Sequence, residues 1–375
     1  MMSASLIDHF SPLEDPRIER NKRHALLDIL VLVVSAVCSN AKGWEAIEDF
    51  GHAKLDWLRQ YVPLANGVPS HDCIEYVMTR LSPVKFRECF INWTQAVKRD
   101  VQEVIAVDGK TARGSRDRAN GGKPLHMVTA WACENRLVLA QEATDEKSNE
   151  ITAIPKLLEL LELKGCIVTL DAMGCQRAIA EQIKGQQGDY VMGLKGNQSN
   201  LHDAVDDYFT TAREHTFNAV PHTYTEELDK DHGRLEIRRY WITEDLTTLP
   251  NIEVWTGLRS IGMVERECTQ GDTTSVERRF FIASIPADAN LFAKAVRGHW
   301  GIENTLHWRL DVTFSEDASR IRKGNGPAMM TSIRHLCINL FEREGSKLSL
   351  PKKQNKAAWD DTYRYDQNPM GRAVP

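Results

Sequence analysis

The sequence runs to 375 residues, with 47 Lys and Arg against 52 Asp and Glu and a formal net charge of -5. That length accommodates one large domain or two to three ordinary ones, and the apolar (42%) and charged (26%) fractions are those of a soluble globular chain rather than a membrane-embedded or disordered one. The mild acidity alone counts against a nucleic-acid protein, yet phosphates respond to local patches, and basic ones occur at 16–24, at Arg234, Arg238 and Arg239, and at 319–323.

Residues 1–100 read as a helical module. The longest apolar run, ILVLVVSAVC (29–38), is too short to span a bilayer and follows Asp28, so it reads as a buried helix. Residues 44–61 are amphipathic. Ser70 is an N-cap before HDCIEYVMTRL, and Ser82-Pro83 opens a further helix with proline at its first position. No charged n-region with a cleavage site opens the sequence, and the eight cysteines are scattered without a Cys-x-x-Cys. The first gives no sign of a secretory signal, and the second suits a reducing cytoplasm and argues against a zinc ribbon.

The pattern changes at Val101. VQEVIAVDGK is a β-branched run ending on Asp108, and PLHMVTAWACENRLVLAQEA gives two strands around a Glu134-Asn135 turn. A helix over 150–163, a strand CIVTLDAMG ending on Asp171, a helix over 175–184 and a strand ending at Lys195-Gly196-Asn197 follow. This order implies a mixed α/β sheet with helices packed on it, over 101–204. Residues 205–285 alternate β-branched, aromatic and charged residues and read as a β-rich insertion, in which His232, Arg234, Glu236 and Arg238 would form a cross-strand ladder. Residues 286–345 return to helices. The tail 346–375, rich in Lys, Asn, Asp and Pro, is expected to be disordered.

Within the C-terminal helices, the stretch RGHWGIENTLHWRLD (297–311) places His299, Glu303 and His307 one turn apart, beside Trp300, Asn304 and Trp308. Asp108 and Asp171 each end an apolar strand, where carboxylates of an open α/β sheet face the ligand crevice. If the two strands are neighbours, their anions repel, and a proton or a divalent cation must neutralise them. An all-oxygen set favours Mg²⁺ or Mn²⁺, and Glu303 could supply a third carboxylate. Lys110 and Arg113, which follow Asp108, and Lys195 and Asn197, beside the same crevice, are candidate phosphate contacts. Glu316 and Asp317 are the rival acids to Glu303, with Asp317 expected to pair with Arg320 or Arg322.

Five ordered blocks carry a resemblance: AVDGKTARGS (106–115), VTLDAMGCQ (168–176), YVMGLKGNQ (190–198), HGRLEIRR (232–239) and HWGIENTLHWRLDVTFSEDASRIR (299–322). Nearly end to end, the chain resembles the DDE transposases of bacterial insertion sequences, of the ISAs type that includes the H-repeat-associated proteins. GVPSHD (67–72) in the helical module resembles that family's associated domain. The resemblance implies an RNase H-like core with Asp108, Asp171 and Glu303 as catalytic, metal-binding triad, two Mg²⁺ or Mn²⁺ ions, DNA as partner, a homodimer on DNA, and a bacterial cytoplasmic, nucleoid-associated location without a membrane. It implies an enzyme that cleaves DNA at element ends and joins the freed strand to a target. The alternative is a catalytically silent DNA-binding remnant. The Tyr, Arg, Glu, Lys signature of related transposases does not carry over, because Val296, His299 and Leu310 occupy its other three places. DNA contacts are therefore expected from Arg297, His299, Trp300, Asn304 and His307.

Overall fold

The computed structural model describes residues 5–99, 101–117, 121–144, 149–218, 220–231 and 233–366. Its helices and strands run in the order α1 (Leu6–Phe10), α2 (Leu26–Cys38), α3 (Trp44–Ala53), α4 (Leu55–Leu58), α5 (His71–Met78), α6 (Pro83–Val97), β1 (Val104–Ala112), β2 (Leu125–Ala132), β3 (Leu137–Ala143), α7 (Glu150–Glu159), β4 (Ile167–Leu170), α8 (Arg177–Gly185), β5 (Asp189–Leu194) and α9 (Ser199–Glu214). Four strands follow, β6 (Thr223–Asp231), β7 (Arg234–Thr243), β8 (Ser260–Gln270) and β9 (Thr273–Ala283), then α10 (Ala289–Gly301), a π-helical turn (Ile302–His307), α11 (Trp308–Val312), α12 (Gly326–Arg343), α13 (Leu350–Trp359) and α14 (Asp361–Asp366).

Nine strands form one sheet in the order β3-β2-β1-β4-β5-β9-β8-β7-β6. The meander β1–β3 is antiparallel, while β1, β4 and β5 run parallel, as an RNase H-like core requires. Alternating side chains divide the two faces. Ile105, Val107, Val168 and Met192 bury against α7, α8 and α9, whereas Val104, Val191, Tyr240 and Phe281 bury against α10. Gly298 allows that close docking, since a Cβ there would stand 2.9 Å from Val104 Cγ1.

The apolar run 29–38 lies in α2, buried on nearly every side. It packs with α12, Leu306 and Leu310 in one hydrophobic cluster, so the N-terminal helices and the helices after Glu303 share a core. Ser70 and Ser82 cap α5 and α6 as expected, accepting from the N–H groups of Cys73 and Lys85. The outer edge of β3 is covered by α12, whose Asn339 side chain accepts from Val138 N–H at 2.8 Å and donates to Val138 C=O at 2.9 Å. An amide thus stands in for a neighbouring strand.

Several sequence expectations change. Residues 205–285 begin inside a helix, α9, whose apolar face covers the sheet, and their last strand pairs with β5 through Val191–Ala283 to Leu194–Phe280. The β-rich segment is therefore a continuation of the core sheet. β1 does not end at Asp108 but continues to Ala112 along β2; only its pairing with β4 stops, at Val107–Leu170. The tail is helical over Leu350–Trp359 and Asp361–Asp366, with Leu350, Ala357 and Tyr363 buried. Lys353 draws it in by donating to Phe341 C=O at 2.7 Å and Glu344 C=O at 3.1 Å, which satisfies the open end of α12. Residues 367–375 lie outside the described residues.

Candidate active site

The parallel pairing of β1 with β4 makes Asp108 and Asp171 successors of the paired residues Val107 and Leu170. Both carboxylates follow the parity of Ala106 and Thr169, and so belong to the face carrying α10 and the π turn; Thr169 itself meets His299 of α10 at 3.2 Å. Asp171 Oδ1 accepts from the N–H groups of Met173 and Gly174 at 2.9 and 3.1 Å, which fixes its carboxylate at the head of the loop into α8. Burial pushes the Asp108 carboxyl up to about 7 although the Gly109 N–H donates to it, and the charges of Glu150, Asp171 and Glu303 raise it further.

Glu303 is exposed, in the second position of the π turn. The sequence predicts an uninterrupted α-helix here, with His299, Glu303 and His307 stacked. The wider i→i+5 turn breaks that row at the acid, a device that recurs at functional sites. Ile302, Leu306 and Leu310 remain buried and anchor the turn.

The other predicted residues divide. Lys110, expected as a phosphate contact, has its ammonium turned toward carboxylates, 2.7 Å from Asp311, 3.5 Å from Asp317 and 3.6 Å from Glu316. Glu316 is buried, accepting from Thr331 at 2.8 Å and Arg334 at 3.2 Å, and is thereby a structural acid. Asp317 pairs with Lys110 and accepts from Arg113 N–H at 3.1 Å, rather than meeting Arg320 or Arg322. Arg322 instead donates to Gly114 C=O at 3.0 Å. Arg113 keeps its guanidinium exposed while its Nε lies 3.5 Å from Asp317 Oδ2, and the Lys195 side chain is exposed. Asn197 donates to Ala172 C=O at 2.6 Å and ties the loop after β5 to the loop of Asp171.

On α10, Arg297 faces Glu227 at 3.5 Å. Burial pushes His299 down to about 4 even with Asp171 nearby, so its imidazole is neutral near pH 7. His307 is pushed down to about 3 by burial, then by Lys110 and the neighbouring histidines; its Nδ1 stands 3.7 Å from Asp108 Oδ2, and its Nε2 is buried without a hydrogen-bond partner. The Trp300 ring is flanked by the guanidiniums of Arg279 and Arg238, at 4.8 and 5.6 Å from its centre, and Asn304 is exposed beside Glu303. Arg234, Arg238 and Arg266 converge on buried Glu236, which makes the expected ladder; His232 lies outside the described residues.

Sequence reasoning missed Glu150 and His126. They bond at 2.7 Å, and His126 meets Thr111 at 2.7 Å on the other ring nitrogen. A Cβ on Gly109 would collide with both. Among the described residues, no three His, Cys, Asp or Glu side chains already form a metal cage. The donor set nonetheless fits a hard divalent cation: oxygens only, with Asp108 held up toward neutrality by burial and its fellow acids. No helix among the described residues is long and apolar enough to cross a membrane.

Comparison with known proteins places the chain within a family. Positions 7–94 match the family described as DDE_Tnp_1-associated, and 99–340 the family described as Transposase DDE domain. The chain is 42% identical over 365 residues to the "H repeat-associated putative transposase YhhI" of Escherichia coli K12, covering 96% of each chain. It is 39% identical over 371 residues to the "Putative transposase YncI" of Escherichia coli O157:H7, covering 97% of this chain and 94% of that one.

Proposed function

This chain belongs to the DDE transposase family, as an insertion-sequence transposase acting on DNA, and from that premise we propose that Asp108, Asp171 and Glu303 are its catalytic acids. The observation that carries the assignment is the β1–β4 register, which brings two acids from separate strands side by side beneath the helix bearing the third.

DDE transposase domains are generally dependent on divalent metal. Two Mg²⁺ or Mn²⁺ ions, one held by Asp108 and Asp171 and one by Asp108 and Glu303, would supply activation of the attacking oxygen and stabilisation of the leaving one. The chain's own part is placement. Asp171 is oriented by two backbone donors, and Asp108 is set in a buried strand. The π turn projects Glu303 toward solvent, where substrate arrives. Water attacks the phosphodiester at the element's end and releases a 3′-hydroxyl. That hydroxyl then attacks a target phosphodiester, displacing a second 3′ oxygen.

Arg113, Lys195 and Arg297 offer exposed or half-exposed charge around this centre, and Asn304 an amide. Trp300 offers an aromatic ring, with the guanidiniums of Arg279 and Arg238 near it. Two element ends must be joined, so a homodimer on DNA fits the task.

The test is Mg²⁺-dependent cleavage of a labelled duplex carrying the gene's own flanking repeat, with wild type and Asp108→Ala compared on a denaturing gel. A nick at the element boundary that the variant loses supports the assignment. Binding without a nick, in Mg²⁺ and in Mn²⁺, sinks it and favours the silent remnant.

A further inference from the structure

The carboxylate of Glu150 occupies the space that any side chain on residue 109 would need, one residue after Asp108. It is largely buried, in the first turn of α7, and its charge acts on Asp108 together with those of Asp171 and Glu303. Its polar partner is His126. His126 bridges Thr111 and Glu150, with Nδ1 2.7 Å from the Thr111 hydroxyl and Nε2 2.7 Å from Glu150 Oε1. Lys110, two residues from Asp108, is engaged by Asp311, Asp317 and Glu316. Four carboxylates gathered this closely repel one another, which raises the energy of the metal-free protein. A divalent cation would reverse that sign.

We propose that Glu150 is a fourth acid of the cation site, reaching it from the α7 side of β1 through the gap left by Gly109 and oriented by His126 and Thr111. This rests on the reading of Asp108, Asp171 and Glu303 as cation-holding residues and extends it to a side chain on α7. It also gives a reason for the glycine after Asp108, since alanine there would expel the carboxylate. The ordinary explanation, an acid favouring the positive end of its helix, makes the opposite prediction for stability.

The experiment is a Mn²⁺ titration of the full chain, followed by the electron paramagnetic resonance signal of free Mn²⁺, beside thermal melts with and without Mn²⁺. Glu150→Gln keeps size and the bond to His126 while removing charge. We expect about tenfold weaker Mn²⁺ binding, equivalent to about 1.4 kcal/mol, a metal-free melting temperature at or above wild type, and a smaller rise on adding Mn²⁺. Glu150→Asp, which retains the charge, recovers part of the affinity. Unchanged affinity in Glu150→Gln, while Asp108→Asn weakens, overturns the role of Glu150 and leaves the triad standing. A metal-free melt lowered by Glu150→Gln, with Mn²⁺ affinity unmoved, assigns Glu150 to the helix instead. Wild type that takes up no Mn²⁺, or no more than Asp108→Asn does, overturns both readings.

Discussion

Lys110 Nζ stands 2.7 Å from Asp311 Oδ1, and through that contact the strand carrying Asp108 is fastened to the helix that follows Glu303. The two residues are 201 positions apart. Around them, Asp317 accepts from Arg113 N–H, Arg322 donates to Gly114 C=O, and Gly114 packs so close that a Cβ would stand 2.7 Å from Asp317 C=O. The GKTARGS and SEDASRIR blocks are thus two halves of one clamp, which sets the distance between the acids of the sheet and the acid of the helix.

Removing the cation from the clamp leaves several carboxylates facing one another. Lys110→Met is expected to cost about 2–4 kcal/mol of unfolding free energy, toward the lower part of the range for a broken buried pair because Arg334 still serves Glu316. Denaturant melts measure it. The salt dependence of DNA binding should stay as in wild type. A stable variant with a reduced salt slope would return Lys110 to the phosphate contacts.

Glu303 is exposed and makes none of the clamp's bonds. Glu303→Gln should therefore move stability by no more than about 0.5 kcal/mol. Cleavage should nevertheless fall by more than about 100-fold, the upper range for losing even an outer partner of a metal ligand. Equal cleavage by this variant would move the third acid elsewhere.

Charge and ring are separable at the DNA face. Lys195→Gln should reduce the slope of log affinity against log salt by about one, the loss of one phosphate contact. Trp300→Ala should leave the slope alone and weaken single-strand binding by about 1–3 kcal/mol, as the loss of one stacked base would. An identical salt effect from both substitutions would refute this division.

Asp28 is buried in α2, where burial raises its carboxyl above the usual range against the opposing Leu64 N–H and His24. A raised folded value favours folding below about pH 4, where the unfolded carboxyl is also protonated, and that contribution is lost as pH rises through the folded value. Asp28→Asn can still accept from Leu64 and carries no charge. Its stability relative to wild type should therefore grow from about pH 4 upward and level off once wild-type Asp28 is ionised. Melts of both proteins across that range, showing a constant difference, would contradict the account.

The two aspartates were legible because a strand's alternation and its terminal acid are local patterns. Their adjacency was not, because it depends on β4 choosing β1 as its neighbour, which no short stretch encodes. Glu303 stood out as the acid among rings and histidines, but its π turn was hidden. Buried Ile302, Leu306 and Leu310 recur at the same intervals in either helix, and packing alone decides the extra residue. Lys110 read as a phosphate contact because its carboxylates lie far along the chain. Lys353 misled in the same way: a lysine among polar residues reads as solvated until the open carbonyls of α12 are placed beside it.

The hydrogen bonds from Val191–Ala283 to Leu194–Phe280 leave no swivel between the catalytic strands and the two outer hairpins. Turning the hairpins independently would mean unzipping those pairs. Sliding β9 by one residue would instead turn Phe281 and Ala283 to the wrong face. Four strand spacings of about 4.8 Å place β6 about 19 Å from β5. The outer strands thus act as a fixed lever arm rather than a tethered lobe, and single-residue insertions or deletions along β9 are a frameshift in space, tolerated far less than those in the loops around it.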